Sequence, residues 1–461
     1  MPSSRLPSPW LLLPLLAALG GCTAVVTRPP AAPAPDAAAA FSVPVETQTP
    51  AEGGAWWQSE LEPAQRTWVS TLLRSNPAIQ LAAAEVERRQ ALLDAATAAK
   101  GASLDAKAGG GVSRDDGDQS ESLSAGIDAT LPLDLFGRLS ATRDARAWEH
   151  AQAIALLEDT RRVQVESLLL ALTDYAESRQ REALLFEQIG TTEQQLHLTE
   201  IRFTQGLASS VDVLQQQQQI ASLQQQLPDE DRSARLAMNR ASELLGGTPA
   251  LKMGLPENLT DLPPAIPLSR PIELLQRRPD LLAQQAALAA ADADFEAALR
   301  ARLPSLELSG SALWQLVSGN PGAIVQAALD ASVNLFDSGA RMAEIQARRA
   351  VLRQAGIRYL QTWLAAVRQT DDLLNTLATL DRQLRLTHER LQIADKLYRA
   401  TLSRYQRGVT DYLPVLTALQ DLQQQQREAL RLKTERQRTL IRLKTAAGLA
   451  PAGDAAPNGE T

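Results

Sequence analysis

Leu123-Ser124-Ala125-Gly126-Ile127-Asp128-Ala129-Thr130-Leu131-Pro132-Leu133-Asp134-Leu135 alternates apolar and polar residues along its length. Leu123, Ala125, Ile127, Ala129, Leu131, Leu133 and Leu135 fall on one face. Ser124, Gly126, Asp128, Thr130 and Asp134 fall on the other. A period of two belongs to a β-strand whose two faces meet different surroundings. The stretch before it, 103–113, alternates more weakly around Leu104, Ala106, Ala108 and Val112, and the polar run 114–119 between them reads as a solvated hairpin loop. Alternation by itself also fits a half-buried soluble sheet.

The hairpin is written twice. Laying Pro77 on Pro279 sets a shift of 202 residues, which also lays Ser103-Leu104 on Ser305-Leu306, Gly137 on Gly339, Gly206 on Gly408 and Gly246 on Gly448. A shift that holds along a whole half of the chain marks an internal duplication. In the second unit Leu306, Leu308, Ala312, Trp314 and Leu316 share a face, and Val325, Ala327, Leu329, Ala331, Val333 and Leu335 follow after a turn. The expected strands are 103–113, 122–136, 305–317 and 323–336.

Each unit, 56–247 and 272–448, starts with a helical segment and ends in helices. Long helices are expected over about 139–204 and 340–407, almost free of breakers, which at 1.5 Å per residue is about 100 Å each. Gly206 and Gly408 end them, and the chain returns through shorter helices over about 211–246 and 411–447, capped by Ser209 or Ser210 and by Thr410 or Asp411. The two short helices of a unit, placed end to end, match its long one, so an even-walled antiparallel cylinder can be built. Glutamine tracts at 215–219, 224–226 and 423–426 read as polar helix faces in a water-filled assembly. Prolines between 249 and 271 make 248–271 a connector, and 449–461 reads as a disordered tail.

The first residues are an address. Arg5, the apolar run 10–19 and Gly20-Gly21-Cys22 describe a secretory signal peptide over 1–21, too short to span a membrane stably. Cys22 is the only cysteine of the 461 residues, so no internal disulfide exists, and Leu19-Gly20-Gly21-Cys22 resembles a bacterial lipobox. That resemblance implies cleavage before Cys22 and its lipidation, with 22–55 as an Ala- and Pro-rich tether; Thr23 after the cysteine favours the outer membrane. A plain signal peptide with a chance cysteine is the alternative.

A net charge of -7 gives no electrostatic reason to expect nucleic acid. The three histidines stand singly at 150, 197 and 388, with no second ligand at metal spacing, and no phosphate loop or Ser/His/Asp order stands out. The reading is a non-enzyme with no cofactor and no metal. Four strands cannot close a membrane barrel, so the strands must join those of other copies.

Trp56-Trp57-Gln58, the segment 73–77 (Leu-Arg-Ser-Asn-Pro), 132–138 (Pro-Leu-Asp-Leu-Phe-Gly-Arg), 274–280 (Leu-Leu-Gln-Arg-Arg-Pro-Asp), 303–306 and 334–339 together resemble the TolC-like outer-membrane factors of efflux systems, nearest the lipoprotein branch that includes OprM. The resemblance runs from Trp56 to Leu449. It implies an α+β membrane protein: a transmembrane β-barrel shared between three chains, four strands from each, continuous with a long α-helical barrel in the periplasm. It also implies a homotrimer in the outer membrane that docks on a periplasmic adaptor protein and an inner-membrane efflux pump. The implied gate lies at the helix reversals, where Asp212 and Tyr405 match residues hydrogen-bonded in the closed state and Leu413 matches an apolar constriction. Thr417 stands where many members carry an aspartate. Asp128 and Asp330, one repeat apart on the polar strand faces, are candidate lumen-lining residues. The alternative is a lipid-anchored periplasmic coiled-coil adaptor that does not conduct.

Overall fold

The computed structural model describes residues 41–42, 56–115, 118–247, 262–263, 271–317 and 320–448. Cys22, the signal segment, nearly all of the tether, most of the connector and 449–461 lie outside the described residues. The first unit contains α1 (Trp56–Glu60), α2 (Pro63–Ser75), α3 (Pro77–Ala98), β1 (Ser103–Asp115), β2 (Asp118–Leu133), α4 (Arg138–Thr204), α5 (Ser210–Gln224) and α6 (Leu227–Leu244). After a 3-10 turn, the second contains α7 (Leu274–Arg277), α8 (Pro279–Arg300), β3 (Ser305–Val317), β4 (Asn320–Ser332), α9 (Ala340–Gln406) and α10 (Leu413–Ala446). Both α4 and α9 have 67 residues, about 100 Å of helix.

The four strands form one antiparallel sheet in the order β1-β2-β3-β4, with β2 and β3 joining the two units. The ladders reach further toward the hairpin ends than side-chain polarity suggested. Arg114 pairs with Gln119 and Asp115 with Asp118, and Val317 pairs with Asn320. Backbone pairing is indifferent to side-chain charge. At the other end the strands stop short of 136 and 336, at Leu133 and Ser332. There Asp134 leaves the sheet to cap α4: its carboxylate accepts from the Leu139 and Ser140 amides at 3.0 and 2.7 Å. Asp337 does the same for α9, accepting from Gly339 and Arg341 at 3.0 and 3.1 Å. Gly137 and Gly339, at φ 73 and 88, turn the chain between strand and helix.

At the far ends the long helices close identically. Gly206 N–H donates to Phe203 O and Leu207 N–H to Arg202 O; Gly408 and Val409 donate to Tyr405 and Arg404 in the same way. This paired arrangement satisfies the last helical carbonyls and needs a left-handed residue, hence glycine. Ser209, not Ser210, caps α5, and Asp212 reciprocates in a capping box. In the second unit neither Thr410 nor Asp411 caps: α10 begins at Leu413 after Tyr412, with no side-chain cap. The return helix of the first unit is also not continuous. Pro228 has no N–H for the carbonyl four residues back, so α5 ends at Gln224 and α6 starts at Leu227. The second unit carries Leu430 at the equivalent position, and α10 runs unbroken.

The short helices do stack end to end. Asn76 caps α3 with its carbonyl oxygen while its amide donates to Leu244 O at the end of α6, 2.7 Å away, and Ser75 Oγ donates to Leu245 O at 2.7 Å. One repeat later Arg278 takes that role: Nη1 donates to Ala446 O at 3.2 Å, and the rest of the guanidinium pairs with Asp280. Burial disfavours the Asp280 carboxylate, but hydrogen bonding and charge from Arg278 outweigh it and hold its pKa below the ordinary value. A central band of apolar side chains, including Trp56, Trp57, Leu168, Leu281, Trp363 and Leu440, packs around these joints. The Trp56 ring lies 5.8 Å from the ammonium of the buried Lys444, which pairs with Glu60 at 2.7 Å.

The joints are tight where the tips are open. A Cβ on Gly246 would lie 2.6 Å from Ser75 O, and one on Gly448 2.6 Å from the Arg277 carbonyl carbon, whereas Gly206 and Gly408 face open space. We expect Gly206→Ala and Gly408→Ala each to cost only the left-handed backbone penalty, about 1–2 kcal/mol. Gly246→Ala and Gly448→Ala should cost clearly more, seen as a larger fall in the helix melting temperature. Equal losses at all four positions would contradict this.

Candidate functional site: the sheet face and the helix tips

Register decides what the sheet presents. Residues opposite one another share a face, so Leu104, Ala106 and Ala108 align with Ala129, Ile127 and Ala125, then with Gly310, Ala312 and Trp314, then with Ala327, Val325 and Ala323. One side is therefore apolar across all four strands, as lipid requires. The other side carries Asp105 directly opposite Asp128, and Glu307 directly opposite Asp330. Lys107 Nζ sits 2.6 Å from Asp128, and Ser309 Oγ donates to Asp330 at 2.8 Å. Asp105 and Glu307 were not singled out from sequence, although the 202-residue shift relates them to each other as it relates Asp128 to Asp330. Like charges opposed on a sheet repel unless water screens them. Four carboxylates on one face thus mark it as the aqueous side.

The helix tips form the second part. Tyr405 is buried, its ring edge-on to Tyr412 with centroids 5.5 Å apart. The Arg202 guanidinium, from the first unit, lies 4.4 Å over the same Tyr405 ring, so a cation–π contact ties the two hairpins together. Neither tyrosine hydroxyl has a hydrogen-bond partner among the described residues, and burial, reinforced by Tyr405, raises the Tyr412 pKa above its ordinary value. Asp212 does not bond to Tyr405: its carboxylate accepts from the Ser209 amide at 2.9 Å. The structure thus pairs Tyr405 with Arg202 and Tyr412, neither of which the sequence reading named. Leu413 is exposed at the tip, as are Leu207, Val211 and Val409, and Thr417 is exposed with its hydroxyl donating back to Leu413 O at 3.0 Å.

Between tip and joint the glutamine tracts are not a wholly solvated face. Gln188, Gln216, Gln423 and Gln425 are buried, and Gln423 Nε2 donates to Thr192 Oγ1 at 3.2 Å while Gln188 Nε2 reaches Gln426 at 2.9 Å. Arg427 Nη1 donates to Gln188 at 2.7 Å, and Gln420 to Gln219 at 2.9 Å. The tracts stitch the first unit's helices to α10.

The outer membrane efflux protein family model matches residues 68–247 and 271–449, the two units in turn. The chain belongs to that family. It is an outer-membrane efflux channel component, extending into the periplasm. Among relatives, it is 30% identical to the pyoverdine export outer membrane protein OpmQ of Pseudomonas aeruginosa, covering 85% of this chain and 86% of that one. It is 26% identical to the cation efflux system protein CusC of Escherichia coli, covering 96% and 99%. The fold matches the open-state MtrE outer membrane channel of Neisseria gonorrhoeae with a TM-score of 0.82 at 20% identity, covering 92% and 99%. In this efflux protein the four strands are one chain's share of the barrel, and the helices its share of the periplasmic wall.

The tip geometry predicts a particular mutational signature. The Tyr405 ring is engaged and its hydroxyl is not, so Tyr405→Phe should leave resting conductance in lipid bilayers unchanged. Arg202→Ala removes a contact of about 1–2 kcal/mol, and should raise the resting open fraction roughly tenfold. A Tyr405→Phe channel as leaky as Arg202→Ala would show that the hydroxyl, not the ring, holds the tip.

Proposed function

We propose that this protein is a passive, lipid-anchored outer conduit for small molecules, attached through Cys22 and closed at rest by its helix tips. The observation that carries the conduit reading is the sheet: apolar on one face, lined by Asp105, Asp128, Glu307 and Asp330 on the other, with an unpaired strand at each edge. Small molecules are favoured over proteins by the relatives, one a pyoverdine export protein and another a cation efflux system protein. No step calls for catalysis. Substrate choice falls to the pump, and the outer conduit supplies a water-filled path and a closure.

The closure is assigned to the reversals at Gly206 and Gly408. Tyr405 there is held by Arg202 and Tyr412, Asp212 braces the start of the return helix, and Leu413 with Val409 presents apolar surface at the end of the tube. Thr417 offers a hydroxyl where a carboxylate would bind cations, so a divalent-ion plug at that ring is not part of this reading. Asp212 stays within reach of Tyr412 as an electrostatic neighbour.

The carboxylate lining sets an expected ion preference. Purified protein in planar bilayers should conduct in discrete steps with cations favoured over anions. Neutralising the four carboxylates (Asp105→Asn, Asp128→Asn, Glu307→Gln, Asp330→Asn) should shift the reversal potential toward no preference while steps persist; an unshifted potential would remove these residues from the conducting path. The anchor is tested separately by metabolic labelling with palmitate: Cys22→Ser should abolish incorporation, and label retained by that variant would place the lipid elsewhere.

A further inference from the structure

Between the helix tips and the joints lies a cavity of about 460 Å³ that neither the tip contacts nor the barrel face uses. Four arginines line it: Arg181 of α4, Arg390 of α9, and Arg427 and Arg431 of α10. Against them stand two carboxylates, Glu230 of α6 and Glu428 of α10. The whole chain carries a charge of -7, so the cavity inverts the prevailing sign. Two of the arginines are already matched. Arg431 pairs with Glu428 at 2.7 Å, and Arg181 pairs with Glu177 and, at 3.8 Å, with Glu230. Arg390 and Arg427 have no carboxylate within ion-pair distance among the described residues, and half-buried Arg427 instead donates to the neutral Gln188 amide oxygen at 2.7 Å. Burial lowers the Arg427 pKa, the mark of a cation short of counter-charge.

The cavity belongs to the break in the first return helix. Gln226, in the gap between α5 and α6, lines it, and Glu230 reaches it from the first turn of α6. One repeat later Leu430 and Leu432 replace Pro228 and Glu230, and α10 runs unbroken. Its side of the wall follows from the helix period. Ser42 of the tether hydrogen-bonds to Asp371 and Asn375 of α9. Arg385 and Glu389 stand fourteen residues beyond those two, a pair of heptads on, and so share their face. Connector residues Leu262 and Pro263 lie over that same face, beside Arg385, His388 and Lys433. A tether to membrane lipid runs outside a closed tube, so this face is the outer one. Arg390 is two residues from His388 and Arg431 two from Lys433, about 200° around each helix. The four-arginine cavity therefore opens toward the bore.

We propose that this cavity is a binding station on the conducting path for small organic anions carrying two or more carboxylate groups. A guanidinium presents a planar fork of donors that matches a carboxylate. Arg390 and Arg427 stand on different helices and lack carboxylates of their own, so each can take one end of such a ligand. The space exceeds what a single inorganic ion fills and falls in the range of organic-ligand sites. Glu230 and Glu428 oppose the ligand's charge, which keeps retention weak enough for release onward, as a conduit requires. The barrel carboxylates still decide which small ions carry current; the station delays a multivalent anion on its way to them. Its place in the bore rests on the conduit and anchor readings, while binding itself needs neither.

Two substitutions of opposite charge sense test it, with citrate as the probe and acetate as the single-charge control. In calorimetric titration of the full-length protein at low salt, citrate should bind once per chain and acetate far more weakly. Arg390→Gln, at an exposed side chain, should leave native mass and helix melting unchanged and weaken citrate about tenfold. Glu230→Gln removes a competing carboxylate and should tighten it. In planar bilayers citrate should then reduce the stepwise current of the unmodified channel, with the blocking concentration moved in the same two directions by the two variants. No citrate binding, binding no stronger than acetate, or both variants shifting affinity the same way would overturn the site. Citrate binding without block of a channel that conducts would put the cavity outside the bore and overturn the station. Absence of stepwise conductance from every preparation would count against the conduit reading, and the titrations would still decide the site.

Discussion

The structure depends on backbone hydrogen bonds that one chain cannot complete. Four antiparallel strands leave the outer edges of β1 and β4 unpaired, and in hydrocarbon each unsatisfied N–H or C=O costs several kcal/mol. The apolar face forbids the sheet from resting in water, and the open edges forbid it from resting alone in lipid. Closure with other copies answers both demands. It also fixes what the polar face becomes, because a closed sheet with its apolar side outward turns Asp105, Asp128, Glu307 and Asp330 toward an enclosed aqueous space.

The helical part solves a different problem, a wall about 100 Å long made from pieces that are not all that long. The residue before a proline does the joining in both units, Asn76 through its amide and Arg278 through its guanidinium. Asparagine satisfies the joint without charge; arginine brings a charge that is then neutralised by Asp280. Proline stops the upper helix from extending backwards, and the left-handed Gly246 and Gly448 let the lower helix end against it. Further down, the wall is held by polar contacts between units: Arg438 pairs with Asp174 at 2.7 Å and with Glu177, and the glutamines interlock below. Polar seams of this kind are directional but cost little to separate where water can enter. The hydrophobic band at the joints is the firmer part.

Much of this was legible in the chain itself. Alternation around Leu123–Leu135 gave the strands, the 202-residue shift gave the duplication, and glycines gave the reversals. What stayed hidden had physical causes. Pro228 divides the first return helix even though the apolar pattern on either side of it is helical. Asp134 suits the alternation of a strand by its polarity, while its carboxylate binds two helical amides. The glutamine tracts looked like solvent faces because burial of an amide depends on partners far along the chain, as with Gln423 and Thr192. Arg202 over Tyr405 leaves no local trace, since the residues are 203 positions apart and belong to different units. Asp105 and Glu307 did leave a trace, the same shift that relates Asp128 to Asp330.

The central claim is that conduction belongs to the assembly and not to the chain. The most direct measurement reconstitutes the same preparation, sized by native mass spectrometry, into planar bilayers before and after it is dissociated to monomers. The account predicts stepwise conductance from the trimeric species alone, lost on dissociation together with the heat-modifiable band on gels. Stepwise conductance from monomers, or a stable trimer that never conducts, would contradict it.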